Sequence, residues 1–212
     1  MTSQSTMGRA NQKLRTRTAI VQAAAELSRT GREVTMPEVA RAALVSEATA
    51  YRYFPDLVSL LQEAIAGQLP SAAEALEPVA GSEDPVERVA AATEFLLRHV
   101  LARQGVVRAM IAATVIRPGG AAARPGLRFG LIDHALAPLD GTLGADDPAA
   151  LTQLKQDLAV VVSAEALFVL TDLQGLAPEA AVASLVHTAT TLTRAALPDG
   201  TGSEPRSQGG SS

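Results

Sequence analysis

Thr35-Met-Pro-Glu-Val-Ala-Arg-Ala-Ala-Leu-Val-Ser-Glu-Ala-Thr-Ala-Tyr-Arg-Tyr-Phe54 holds two helix starts in one short stretch. Thr35 and Glu38 have the spacing of a capping box, and Pro37 sits in the first turn, where its missing N–H is harmless. Val39, Ala40 and Ala43 then give a helix of one to two turns. Ser46 is a second N-cap, leading into Glu47–Phe54. Pro55-Asp56 ends that helix and caps another, whose Leu57, Leu60, Leu61, Ala64 and Ile65 form an apolar stripe. Upstream, Ile20, Ala24 and Leu27 recur at helical spacing from Arg15 onward, and Gly31 is a natural stop.

A longer helix, a short helix, a tight turn and a second short helix make a helix-turn-helix, whose second short helix enters the DNA major groove. On a wheel of residues 46–54, Ala50 and Phe54 share the inward side. Ala48, Thr49 and Arg52 point away, with Tyr51 and Tyr53 on the flanks. Such a helix suits groove reading: small residues permit close approach, hydroxyls reach phosphates, and Arg grips phosphate or guanine. Both tyrosines of the chain lie in this turn. Packing alone could also place a Tyr-x-Tyr-Phe cluster in a core, with its hydroxyls reaching water.

The run Thr35-x-x-Glu38-Val39-Ala40-x-x-Ala43-x-Val45-Ser46-x-x-Thr49-x-Tyr51-Arg52-Tyr53-Phe54-Pro55 closely resembles the N-terminal domain of TetR/AcrR-family transcriptional repressors, over roughly residues 15–65. The resemblance implies phosphate contacts from Thr35, Thr49, Tyr51 and Tyr53, and groove contacts from Glu47, Ala48 and Arg52, with Ser46 at the helix start. Two positions depart from the family pattern. Leu44 stands where a turn glycine is usual, at about 1 kcal/mol if its φ is positive. Leu57 stands where a lysine usually opens the fourth helix, so either Arg15, Arg17 and the rest of the basic arm compensate or the nonspecific affinity for DNA is lower. The resemblance further implies a ligand-responsive repressor that binds a palindromic double-stranded operator as a homodimer and leaves it when a small molecule binds.

Charge divides the chain. Residues 1–55 carry a net +4 and the remainder −8, within a total of −4. A basic head on an acidic body suits a polyanion-binding module, although a solvated face plus a basic tail would give the same balance. The absence of cysteine excludes disulfides and thiolate chemistry. Polar, basic residues 1–17 carry no apolar region behind them, and no run approaches the ~18 apolar residues of a membrane span. A soluble cytoplasmic protein, with no membrane partner, is expected.

Further along, Asp84-Pro85, Asp147-Pro148 and Pro178-Glu179 each mark a helix start. Helices are expected from Asp84 to near Gly105, Val106 to Ile116, Leu127 to Leu136, and Pro178 to Leu197. A long one is expected from Asp147 to about Gln174, roughly 40 Å at 1.5 Å per residue. Pro118–Gly126 reads as a loop. No strand pattern appears, so the expected class is all-α. The organisation is a disordered basic arm (1–13), a helix-turn-helix domain (14–57), a helical regulatory and dimerisation domain (58–198) and a disordered tail (199–212).

Two copies are needed to span half-sites about one turn apart. Candidate interface positions are Leu158, Val162, Glu165, Val169, Val182, Leu185, Val186, Ala189 and Leu192. The alternative is that these stripes are core within one chain. Candidate pocket residues are the polar and aromatic side chains on apolar helices: Phe95, Arg98, His99, Met110, Phe129, His134, Phe168 and Thr171, with Asp133 beside them. An apolar or amphipathic effector is expected, and no cofactor or metal. His99, His134 and His187 have no ligand partner at i+3 or i+4, and no catalytic motif occurs, so an enzyme is not expected. The competing reading is a small-molecule-binding or partner-binding protein of the same fold without operator function.

Overall fold

The computed structural model describes residues 3–66, 70–116 and 126–197, and these contain helices and turns but no strand. The head comprises α1 (Ser3–Ser28), α2 (Met36–Ala42), α3 (Glu47–Tyr53) and α4 (Leu57–Ala66). Ile20, Ala24, Val39, Ala50, Phe54, Leu60 and Leu61 are each at most 2 % exposed and form its core. Burying each of the larger ones contributes roughly 1.5–3 kcal/mol. α4 shares this core, so the head extends beyond the expected boundary at 57.

The caps form as the sequence predicts. Thr35 accepts from the Glu38 backbone, while the Glu38 carboxylate takes both the Thr35 backbone N–H (3.1 Å) and its hydroxyl (2.8 Å). α2 ends in a Schellman turn: Val45 N–H donates to Ala40 O and Leu44 N–H to Arg41 O, with Leu44 at φ 56°. The usual glycine geometry is therefore kept with a leucine in it, 92 % exposed.

The body follows as α5 (Ala72–Ala75), α6 (Pro85–Ala102), α7 (Gln104–Ile116), α8 (Leu127–Leu136), α9 (Leu143–Asp146), α10 (Pro148–Val161), α11 (Ala164–Phe168) and α12 (Pro178–Ala196). α6 runs through it, packed on α12 and α8, and α10 closes the core around Leu97, Leu131, Leu136, Leu158 and Leu167. Arg88 of α6 is buried here, donating to the carbonyls of Val79, Ser82, His134 and Ala135. α7 joins the two halves, because its Val106 and Met110 are buried in the head core.

Three expectations are corrected. The segment expected as a disordered arm (1–13) is helical from Ser3: it contains no proline, and Gln, Arg, Lys and Ala are good helix formers. The long helix from Asp147 breaks after Val161. The Ser163 hydroxyl donates to Val160 O at 2.7 Å and accepts from Ala166 N–H, which caps α11 and competes with a continuous ladder. A π-helical turn at Val169–Leu173 follows, and Gly175 closes the segment at φ 69°. Leu158, Val162, Val182, Leu185 and Ala189, expected at an intersubunit face, have no exposed surface of any size in the single chain. They are buried in the body core of the single chain, because α10 and α12 turn these stripes toward each other and α6. Val169 is 47 % exposed, and Glu165, Val186 and Leu192 are half-buried.

Residues 117–125 of the expected loop and the tail from Pro198 lie outside the described residues.

Candidate nucleic-acid interface and body cavity

α3 is held by two caps and one apolar side. The Ser46 hydroxyl accepts from Thr49 N–H at 3.2 Å and lies 2.9 Å from the Thr49 hydroxyl. Ala50 and Phe54 anchor the helix inward, at 0 % and 2 % exposure. Ser46, Glu47, Ala48, Tyr51 and Arg52 are exposed, while Thr49 and Tyr53 are half-buried. Of the three residues the wheel turns outward, Ala48 and Arg52 are exposed and Thr49 is half-buried, and Glu47 is exposed beside them. Arg52 lies over the Tyr53 ring, 5.7 Å from its centroid, which orients the guanidinium along the helix flank.

Around this helix the structure adds residues that periodicity does not mark. Gln12, Lys13 and Thr16 of α1 line one recess together with Leu44, Val45, Thr49, Arg52 and Tyr53. Two cations and no acid face this recess, which suits a polyanion. Lys13 belongs to the basic arm in the sequence, but residues 1–13 show no apolar period that would place it; helical continuity brings it beside α3.

Two expected contacts are occupied within the chain. Thr35 donates its hydroxyl to Glu38, whose pKa is lowered first by that bond and then by the Thr35 backbone N–H. Arg17 pairs with Glu63 and lies 4.5 Å from the Phe54 ring centroid, joining α1 to α3 and α4. Arg15 is exposed and has no ion pair among the described residues.

The body holds a cavity of about 140 Å³ between α6, α7, α8 and α11, with Ile65 of α4 in its wall. Of the expected pocket residues, His99, Met110 and Phe129 line it, and Phe95 lies behind, its ring 6.0 Å from that of His99. The others lie elsewhere. Arg98 bridges Glu94 (2.9 Å) and Glu179 (3.2 Å) on the surface, joining α6 to α12. Phe168 lies beneath Arg108, which pairs with Asp172, and the Thr171 hydroxyl donates to that same carboxylate. His134 is half-buried and gives its carbonyl to Arg88, and Asp133 pairs with Lys155 at 3.0 Å. Arg103, Arg128 and Glu165 also line the cavity, and the last two pair across it at 3.5 Å. Scattered charges on separate helices carry no sequence signal of this convergence.

No group of His, Asp or Glu among the described residues could hold a metal, and no described helix is long and apolar enough to cross a membrane.

Residues 20–64 match the family model described as "Bacterial regulatory proteins, tetR family". No curated protein matches the chain. A TetR transcriptional regulator from Rhodococcus sp. RHA1 has a similar solved structure, with a TM-score of 0.52 and 22 % identity. The similarity covers 85 % of this chain and 97 % of that one, and it concerns the fold.

Proposed function

We propose that the chain, whose residues 20–64 match the model of the tetR family of bacterial regulatory proteins, is a DNA-binding transcription regulator of that family and not an enzyme: a ligand-responsive repressor, a cytoplasmic homodimer released from a palindromic operator by a small molecule. One observation carries the operator reading. α3 is fixed by Ala50 and Phe54 while Glu47, Ala48 and Arg52 stand outward, beside a recess whose two charged residues, Lys13 and Arg52, are both basic. Phosphates fill such a recess and fix the register in which the outward side meets base edges.

Dimerisation uses surfaces that the single chain leaves open. Val160 (71 % exposed) and Leu173 (80 %) are apolar and uncovered on the α10–π segment. Ala183, Ser184, His187 and Thr191 give α12 an exposed side of small and polar residues, where helices can approach closely. Two heads are then held about one DNA turn apart, roughly 34–36 Å. A ligand that favours a different head spacing lowers operator affinity.

The test is fluorescence anisotropy on DNA flanking the protein's own gene, across a salt series. Binding should weaken steeply, with a log–log slope of about −0.9 per phosphate neutralised. No binding at about 50 mM salt removes the operator reading and leaves the same-fold binding protein. Weak, salt-insensitive binding contradicts the phosphate contacts. Sedimentation of Leu173→Glu tests the interface, and a dimer that persists unchanged moves it elsewhere.

A further inference from the structure

Leu44 combines two unfavourable features. Its backbone lies in the left-handed region at φ 56°, which a leucine occupies only under strain. At 92 % exposure it is also the most exposed large apolar side chain among the described residues. Neither feature is offset inside the chain. The turn itself is held by the Leu44 and Val45 N–H groups, which donate to Arg41 O and Ala40 O. Val45 supplies the apolar contact of the turn by packing on the head core. Glycine would make the same turn without strain.

The position of Leu44 gives its side chain a use. It lines the recess that Lys13 of α1 shares with Thr49, Arg52 and Tyr53 of α3. Neither Lys13 nor Arg52 has a carboxylate partner among the described residues, so the recess keeps its positive charge. A DNA phosphate seated there brings with it the attached deoxyribose, whose C–H face is the apolar part of the strand. Thymine methyls, the other apolar groups of DNA, lie in the major groove that α3 enters. Leu44 precedes α3 and stands on the phosphate recess, which puts it beside the sugar.

We propose that Leu44 is a DNA-contacting residue, its side chain packing on the sugar face of a deoxyribose next to a phosphate seated in this recess. The proposal rests on the operator reading above and adds a contact from the turn to those of α3. The strain at the turn then has a function, because it holds an apolar side chain out beyond the helices. Its stabilisation arrives only when DNA removes that side chain from water. Sugars are alike at every base pair, so the contact adds affinity and helps fix the register without reading sequence.

The test is anisotropy with the full chain on two duplexes, the DNA flanking the protein's own gene and a random sequence, across a salt series. Leu44→Gly should bind both about tenfold more weakly with an unchanged salt slope, since apolar burial and no charge is lost. This variant relieves the strain, so its weaker binding does not come from unfolding. Leu44→Asn, which tolerates the left-handed region but is polar, should lose as much, and Leu44→Met should bind within about twofold of the native chain. Leu44→Lys places a cation beside the phosphate and should steepen the log–log slope by about 0.9. Native affinity in Leu44→Gly, or an unchanged slope in Leu44→Lys, overturns the contact. A loss on the gene-flanking duplex alone places Leu44 on a base edge and overturns the sugar assignment. No binding of the native chain to either duplex overturns the operator reading together with this contact, whereas native binding with indifferent variants overturns this contact alone.

Discussion

Gly105 is packed so closely on Arg32 that a Cβ there would stand 2.1 Å from the Arg32 carbonyl oxygen and 2.8 Å from Glu33 N. The first turn of α7 therefore rests on the backbone linking α1 to α2, and no flexible side chain can yield between them. Gly105→Ala should destabilise the protein by about 2 kcal/mol, because overpacking against backbone outweighs the ~1 kcal/mol that Ala gains in a helix. Gly130 in α8 is the control, since nothing lies within 4 Å of its Cβ position. Gly130→Ala should stabilise by up to about 1 kcal/mol. Urea denaturation reads both, and equal effects would mean that the Gly105 contact does not constrain the head.

Arg88 stabilises the body in another way. It is 5 % exposed and donates to four carbonyls, two of them in the last turn of α8, where helix carbonyls lack partners. Arg88→Met fills similar space and leaves those acceptors unpaired. We expect a loss of about 3 kcal/mol, lowering the melting temperature by roughly 10 °C. A change under about 1 kcal/mol would show that water replaces the guanidinium at little cost.

On DNA, Arg52 and Tyr51 should separate. Arg52→Ala removes a side chain on the outward side of α3 and should cost about 1–3 kcal/mol at the preferred site while narrowing the gap to other sequences. Tyr51→Phe removes a phosphate-reaching hydroxyl and should weaken all sequences alike, by about 1 kcal/mol. Unchanged ranking of sites in Arg52→Ala would move the reading face off this side of the helix.

Leu44 holds a left-handed φ of 56° at 92 % exposure, so its side chain gains little packing for the strain. Leu44→Gly should stabilise by about 1 kcal/mol, with a rise in melting temperature of roughly 2–4 °C. A destabilised variant would show that the leucine makes a contact that offsets its backbone.

These residues also mark where sequence reading is strong. The helix starts at Thr35, Ser46, Asp84 and Asp147 form as read, because a cap is a local bond between residues two or three apart. The inward placing of Ala50 and Phe54 follows from period alone. The stripe through Val182, Leu185 and Ala189 is equally periodic, but period shows that a face is covered and not by what; α6 of the same chain covers it. The break at Ser163 is hidden because a serine hydroxyl can sit inside a helix or cap a new one, and tertiary packing decides. His99 and Arg103 are neighbours at the end of α6, but their meeting with Glu165 of α11 at one cavity depends on how the two helices cross, which no local pattern encodes.

Acid should act on the body through Asp172. Arg108 donates to it with both terminal nitrogens, one of them at 2.8 Å, and lies 3.8 Å from the Phe168 ring centroid. The Arg108 hydrogen bonds, then that from the Thr171 hydroxyl, lower the Asp172 pKa from 3.8 to about 2. A carboxylate depressed in the folded state takes up protons first in the unfolded chain, so acid favours unfolding. The pair's contribution is therefore complete above about pH 4 and is lost as the pH falls toward about 2. Asp172→Asn removes the titrating group while keeping the shape. Urea midpoints from about pH 5 down to about pH 2 should fall more steeply for the native chain than for Asp172→Asn, the two converging at the acid end. Parallel curves would show that the clamp between α7 and the π-turn adds no stability.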